Sequence, residues 1–99
     1  MKELSIFDKI RVWALEKGIL GGSDSYAQYG KLMEENGELG EALMRRNKEE
    51  IVDAIGDMIV VLTSIAHLEG LVIEDCIESA YEVISKRKGK MINGTFVKD

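Results

Sequence analysis

Apolar residues recur at helical spacing along most of this chain. In "LSIFDKIRVWALEKG" they predict a helix from about Leu4 to Lys17, closed by Gly18. The segment "GILGGSDS" then reads as a flexible connection in which Ser23, Asp24 or Ser25 caps a second helix running to about Arg46. Asn47 is placed to cap a third helix that ends near Leu68, and "EGL" turns the chain into a fourth, from roughly Ile73 to Lys88, stopped by Gly89. There is no proline, and no alternating strand pattern before position 90. The closing "KMINGTFVKD" carries an Asn93-Gly94 turn signal between short apolar stretches, which fits a small hairpin or a tail laid against a partner.

The faces of these helices are unequal in an informative way. On the second, Leu32, Leu39 and Leu43 define a core stripe, and Gln28, Lys31, Glu35 and Glu38 share the adjoining arc. Glu34 and Glu41 fall farther round, toward solvent. The same helix holds Gly37 and Gly40, each costing about 1 kcal/mol relative to alanine, which suggests close helix approach or a ligand beside it. On the third helix Ile51, Ile55, Met58, Leu62 and Ile65 form the stripe, with Asp53 and Asp57 on the other side. Its later half is apolar nearly all round, so this helix is expected to be central. Two acidic pairs at the edges of apolar stripes, on consecutive antiparallel helices, repel unless a cation intervenes. Glu35, Glu38, Asp53 and Asp57 together offer four hard oxygen ligands, suited to Mg²⁺ or Mn²⁺ and not to zinc.

Composition narrows the setting. Ninety-nine residues suit a single domain over 1–99, short enough that a second subunit would add useful stability. The net charge of −5 opposes binding to a nucleic acid polymer. The longest apolar run, Met58 to Leu62, falls short of a membrane span, and the charged N-terminus does not look like a secretory signal, so a cytoplasmic protein is expected. A single cysteine excludes an internal disulfide, and one histidine beside it is too few for a Cys/His zinc site. Cys76 reads as a small apolar filler, His67 as structural, Trp13 as core or interface, and Met33, Met44, Met58 and Met91 as packing.

"QYGKLMEENGELGEAL" followed by "DAIGDMIVVL" resembles the MazG-like, all-α nucleoside triphosphate pyrophosphohydrolases, over nearly the whole chain. Glu34-Glu35-Asn36-Gly37-Glu38 fits that family's Glu-Glu-x-x-Glu segment. Its Glu-x-x-Asp segment is altered: with the final acid on Asp57, Ala54 stands where a Glu is expected, and Asp53 precedes it by one residue, with Glu50 as a further replacement. The resemblance implies a four-helix bundle completed by a homodimer or homotetramer. It implies hydrolysis of a nucleoside or deoxynucleoside triphosphate to monophosphate and pyrophosphate, serving nucleotide pool control or the removal of unwanted nucleotides. Glu35, Glu38, Asp53 and Asp57 would hold Mg²⁺, with Glu35 or Glu38 as the base, while Gln28, Lys31, Lys86, Arg87 and Lys90 would contact substrate. Two rivals accompany this reading: a phosphoribosyl-nucleotide pyrophosphohydrolase, and a catalytically silent helical module that binds a protein.

Overall fold

The computed structural model describes residues 3–99. Helix α1 (Ile6–Glu16) starts at a capping box: the Ser5 side chain accepts from the Asp8 N–H, and Asp8 accepts in return from the Ser5 N–H. The connection read as flexible contains a helical turn, α2 (Ile19–Gly22), too short to produce a periodic pattern in sequence. Asp24 then caps α3 (Ser25–Arg45) by accepting from the Ala27 N–H at 2.8 Å, and Asn47 caps α4 (Lys48–Leu68) by accepting from the Glu50 N–H at 3.1 Å. Arg46 and Asn47 alone separate these two helices, which lie against each other as a tight αα-hairpin. Helix α5 (Ile73–Ile84) follows.

The described chain therefore holds five helices where four were expected, and the last ends four residues before Lys88. Ser85 closes it, leaving Lys86, Arg87 and Lys88 in the connection to a two-stranded antiparallel sheet of β1 (Gly89–Ile92) and β2 (Thr95–Lys98). The hairpin alternative is thus the one adopted. Asn93 and Gly94, at φ 50° and 82°, make a two-residue turn with left-handed backbone at both positions, as Asn-Gly favours. Gly89 is needed at the base, because a Cβ there would lie 2.2 Å from the Val97 carbonyl oxygen.

Helix α4 is the hub, packed on α1, α2, α3 and α5. It is also long and apolar enough, by length and composition, to cross a bilayer, a property that core helices share. Glu35 apart, the buried side chains among the described residues are small: Ala14, Ala42, Ala54, Ala66 and Val61, with Thr63 and Ser64. Leu32 and Leu39 are half-buried, whereas Leu43, Ile55 and Met44 are exposed in the single chain. The packing roles expected for Met33 and Met91 are likewise not met within one chain, and Cys76 is exposed, not a filler. The α3 glycines do not mark close approach either, since a Cβ at Gly30, Gly37 or Gly40 would meet nothing within 4 Å. The chain is open, with a radius of gyration of 16.0 Å. A compact chain of this length would have about 13 Å.

Helix α5 is fixed at its start. Arg11 of α1 donates through both terminal nitrogens to the two oxygens of Glu74 at 2.7 Å, and also to Asp8 at 2.8 Å. Beyond this clamp no residue of α5 is buried.

Candidate active site

The αα-hairpin decides which acids meet. Buried alanines on its two helices, Ala42 and Ala54, let α3 and α4 run close together. Glu35 and Glu38, one turn apart on α3, thereby face Asp57 on α4, and one carboxylate oxygen from each lies within 4.8 Å of the others. Glu35 is 95% buried, since only 5% of its surface is accessible, while Glu38 and Asp57 are open to solvent. Lys31 stands 3.5 Å from Glu35 Oε1 and 3.4 Å from Glu34 Oε2. The second oxygen of Glu35 has no hydrogen-bond partner, although it is shut off from water.

Such an orphan acceptor is costly unless a further ligand satisfies it. The electrostatics agree. Hydrogen bonding to Glu35 and the repulsion of its charge push the Glu38 carboxyl above its ordinary value. Asp57 is pushed up mainly by desolvation, then by Glu35 and Asp53. Lys31 is raised by its bond to Glu34 first and to Glu35 second. The three acids thus form an oxygen-rich site with one cation beside it and unmet demand for another, which suits a hard divalent ion.

A cavity of about 640 Å³ opens beside this group. Gln28, Lys31, Glu34, Glu35 and Asp57 line its polar side, and Trp13, Ile19, Val60 and Val61 its apolar side. Gln28 is held by a 3.1 Å bond from its amide nitrogen to Ser23 Oγ. A second cavity of about 380 Å³ adjoins, and Glu38 and Asp57 reach it from one side.

Of the residues singled out in the sequence, Gln28, Lys31, Glu35, Glu38 and Asp57 come together here. Asp53 does not join the three clustered oxygens; it lines the second cavity with Ala54. Glu50 is occupied, accepting from Arg45 at 3.2 Å and from the Asn47 side chain at 3.2 Å. Lys86, Arg87 and Lys90 line neither cavity. Conversely, Glu34, solvent-exposed as the helical wheel placed it, still borders the larger cavity, where it pairs with Lys31. Ser64, 2% exposed, contributes a wall that the sequence reading passed over; a serine inside the apolar "IVVLTSIA" run was the available signal. Trp13 is not part of the core of the single chain: it is 45% exposed and forms part of the cavity wall.

An all-α chain with carboxylates converging from an αα-hairpin is the arrangement seen so far. The family model for phosphoribosyl-ATP pyrophosphohydrolase matches residues 22–83, which include α3, α4 and most of α5, and the chain belongs to that family. The family falls within the MazG-like all-α nucleoside triphosphate pyrophosphohydrolase superfamily, so the resemblance drawn from the sequence holds at that broader level. The chain is also 34% identical over 61 residues to an uncharacterized 18.2 kDa protein of the rep-hol intergenic region of Haemophilus phage HP1. That match takes in 62% of this chain but only 37% of the phage protein's length. No solved structure matches.

Proposed function

We propose that the chain hydrolyses the α–β phosphoanhydride of a nucleotide triphosphate, releasing the monophosphate and pyrophosphate. The observation that carries this reading is the buried, unpartnered Oε2 of Glu35 beside Glu38 and Asp57, at the edge of a cavity with an apolar far wall. Glu35, Glu38 and Asp57 would hold a divalent ion, Mg²⁺ or Mn²⁺ by their all-oxygen donor set, with Asp53 near enough in sequence and space to act from the second cavity. When bound, the ion neutralises phosphate oxygens and makes water more acidic. Glu35 is the fixed ligand, held by burial and by Lys31. Glu38, one turn farther along and exposed, is placed to accept the proton of the attacking water through a carboxylate oxygen not engaged by the ion. Lys31 offers its ammonium to the phosphate chain, and Trp13 with Val60 gives the base an apolar surface.

The name of the family points to phosphoribosyl-ATP, which presents the same triphosphate. Both substrates present the triphosphate that Lys31 and the three acids would face, and the apolar lining of Trp13, Ile19 and Val60 would take the base of either. Turnover of ribo-, deoxyribo- and phosphoribosyl-linked triphosphates with Mg²⁺, resolved by phosphorus NMR, tests both readings. Monophosphate and pyrophosphate from a nucleoside triphosphate are expected, and chelator abolishes the signal. Orthophosphate with a diphosphate product, or no turnover across the panel with Mg²⁺ and Mn²⁺, overturns the assignment.

A further inference from the structure

Two hydroxyl groups stand side by side late in α4 and are used differently. Thr63 turns its hydroxyl back onto its own helix, donating to the Ile59 carbonyl at 2.7 Å. Ser64 is equally deep, but it makes no side-chain hydrogen bond among the described residues and lines the larger cavity instead. An alanine would serve there if packing were the whole purpose, because a buried hydroxyl without a partner is costly. Whatever fills the cavity has to supply that partner.

The hairpin fixes where that hydroxyl lies relative to the acids. Because α3 and α4 run antiparallel through a two-residue link, seven residues back from Glu35 and seven forward from Asp57 lead in the same direction. Those steps arrive at Gln28 and Ser64. Seven residues are close to two full turns, which returns each residue to the face of its acid and moves it about 10.5 Å along the helices. The cavity therefore has an acid end at Glu35 and Asp57 and a neutral polar end at Gln28 and Ser64, with Lys31 between them and Trp13, Ile19 and Val60 as apolar walls. Gln28 is preset at its end: its amide nitrogen donates to Ser23 Oγ at 3.1 Å, while its carbonyl oxygen is unbonded among the described residues.

The spacing matches the order of parts in a nucleotide. With its phosphates at the acids, a nucleotide laid along this cavity of about 640 Å³ places the ribose next and the base last, toward Gln28 and Ser64. A base is apolar on its two faces and polar only at its edge. Trp13, Ile19 and Val60 suit the faces, and the amide and hydroxyl suit the edge.

From these observations we infer that the Ser64 hydroxyl, with the Gln28 amide at the same level, reads the hydrogen-bonding edge of the nucleobase and decides which bases the site accepts. Serine can donate or accept, and Gln28 offers its carbonyl oxygen and a remaining N–H, so the pair meets neighbouring donors and acceptors on a base edge. A base whose edge leaves either group unmet bears the cost of a buried unpaired polar group, and selection arises from that penalty. The inference rests on the reading of the acids as a nucleotide site and extends it from the phosphates to the base.

Ser64→Ala tests this, since the change deletes one buried oxygen and keeps the wall in place. The probes are the ribo- and deoxyribonucleoside monophosphates of adenine, guanine, cytosine and uracil, titrated with Mg²⁺ against the fluorescence of Trp13, the chain's single tryptophan. Inorganic tripolyphosphate, followed by calorimetry, reports on the acid end alone. In the wild type the preferred base should bind at least about 10-fold more tightly than the poorest, and in Ser64→Ala that spread should shrink to about 3-fold or less, with tripolyphosphate and Mg²⁺ affinities unchanged. A base preference kept in the variant, a wild type that binds all four bases equally, or a variant that shifts only the ribose-to-deoxyribose ratio overturns the inference and leaves the acid site standing. Equal loss of tripolyphosphate affinity overturns it too, because Ser64 would then be supporting the whole cavity and not reading the base. Base selection lost in Ser64→Ala, without wild-type turnover of any triphosphate, would instead count against the proposed reaction and leave the base contact standing. A chain that binds neither the monophosphates nor tripolyphosphate overturns both.

Discussion

Two groups of carboxylates in this small protein are built from similar parts and behave oppositely. Asp8 and Glu74 both lie against Arg11, which holds Asp8 down to about 2 and Glu74 below its ordinary value through charged hydrogen bonds. Glu35, Glu38 and Asp57 gather without an arginine, and there Glu38 and Asp57 are pushed up. The first group is complete in itself and ties α5 to α1. The second leaves an oxygen unsatisfied and waits for a ligand. Whether acids on helices form a clamp or a binding site is decided here by where the nearest guanidinium stands, not by their number.

The largest effect should come from Glu38→Gln, which keeps the side chain's size and removes a ligand charge. Activity should fall by about two orders of magnitude or more, and Mg²⁺ affinity measured by calorimetry should fall with it, while the metal-free protein melts at the same temperature or slightly higher. Wild-type Mg²⁺ affinity in this variant would remove Glu38 from the site.

Titration should next divide the two groups. For Glu38 and Asp57 the folded state holds protons more tightly than the unfolded, so stability declines as pH rises from the ordinary carboxylate values through the raised ones. For Asp8 and Glu74 the sign is reversed: their contribution is present above the ordinary values and is lost as pH falls toward about 2. Thermal melts across this range should therefore show Mg²⁺ stabilising the protein near pH 7 and failing to do so below about pH 4. Equal stabilisation at both pH values would argue against carboxylate ligands.

A smaller change is expected from Arg11→Met, which removes the clamp and retains bulk. Its partners are partly solvated, so the melting temperature should drop by about 4 °C. Mg²⁺ affinity should be unchanged, since Arg11 is absent from the cavity wall. Glu41→Gln should do least of all, because Glu41 makes only a 3.5 Å contact to Arg45 at an exposed position; a loss of activity matching Glu38→Gln would break the distinction between the two.

Much of this was legible in the sequence wherever one helix determines the answer. The Asn47 cap, the Asn93-Gly94 turn and the shared face of Glu35 and Glu38 follow from local periodicity and turn chemistry. What failed depended on relations between elements. Asp53 and Asp57 are equivalent on a wheel, yet the crossing of α3 and α4 brings only Asp57 into the trio. Leu43 and Ile55 read as core because periodicity reports burial without saying in which chain it occurs. The end of α5 at Ile84 was missed since Lys86, Arg87 and Lys88 are good helix formers, and it is the strand beginning at Gly89 that ends the helix early.

The two-residue link between α3 and α4 also bears on how the molecule forms. Glu35 and Asp57 are only 22 positions apart, so their meeting requires one short closure of neighbouring helices, an event far quicker than assembling distant parts of a chain. Repulsion among the three acids is therefore met at the first docking of the hairpin, while the rest of the chain is still loose. A divalent ion bound by these acids would then act on the folding rate as well as on the finished protein, and its removal would be expected to slow the earliest step, checked by stopped-flow refolding with and without Mg²⁺.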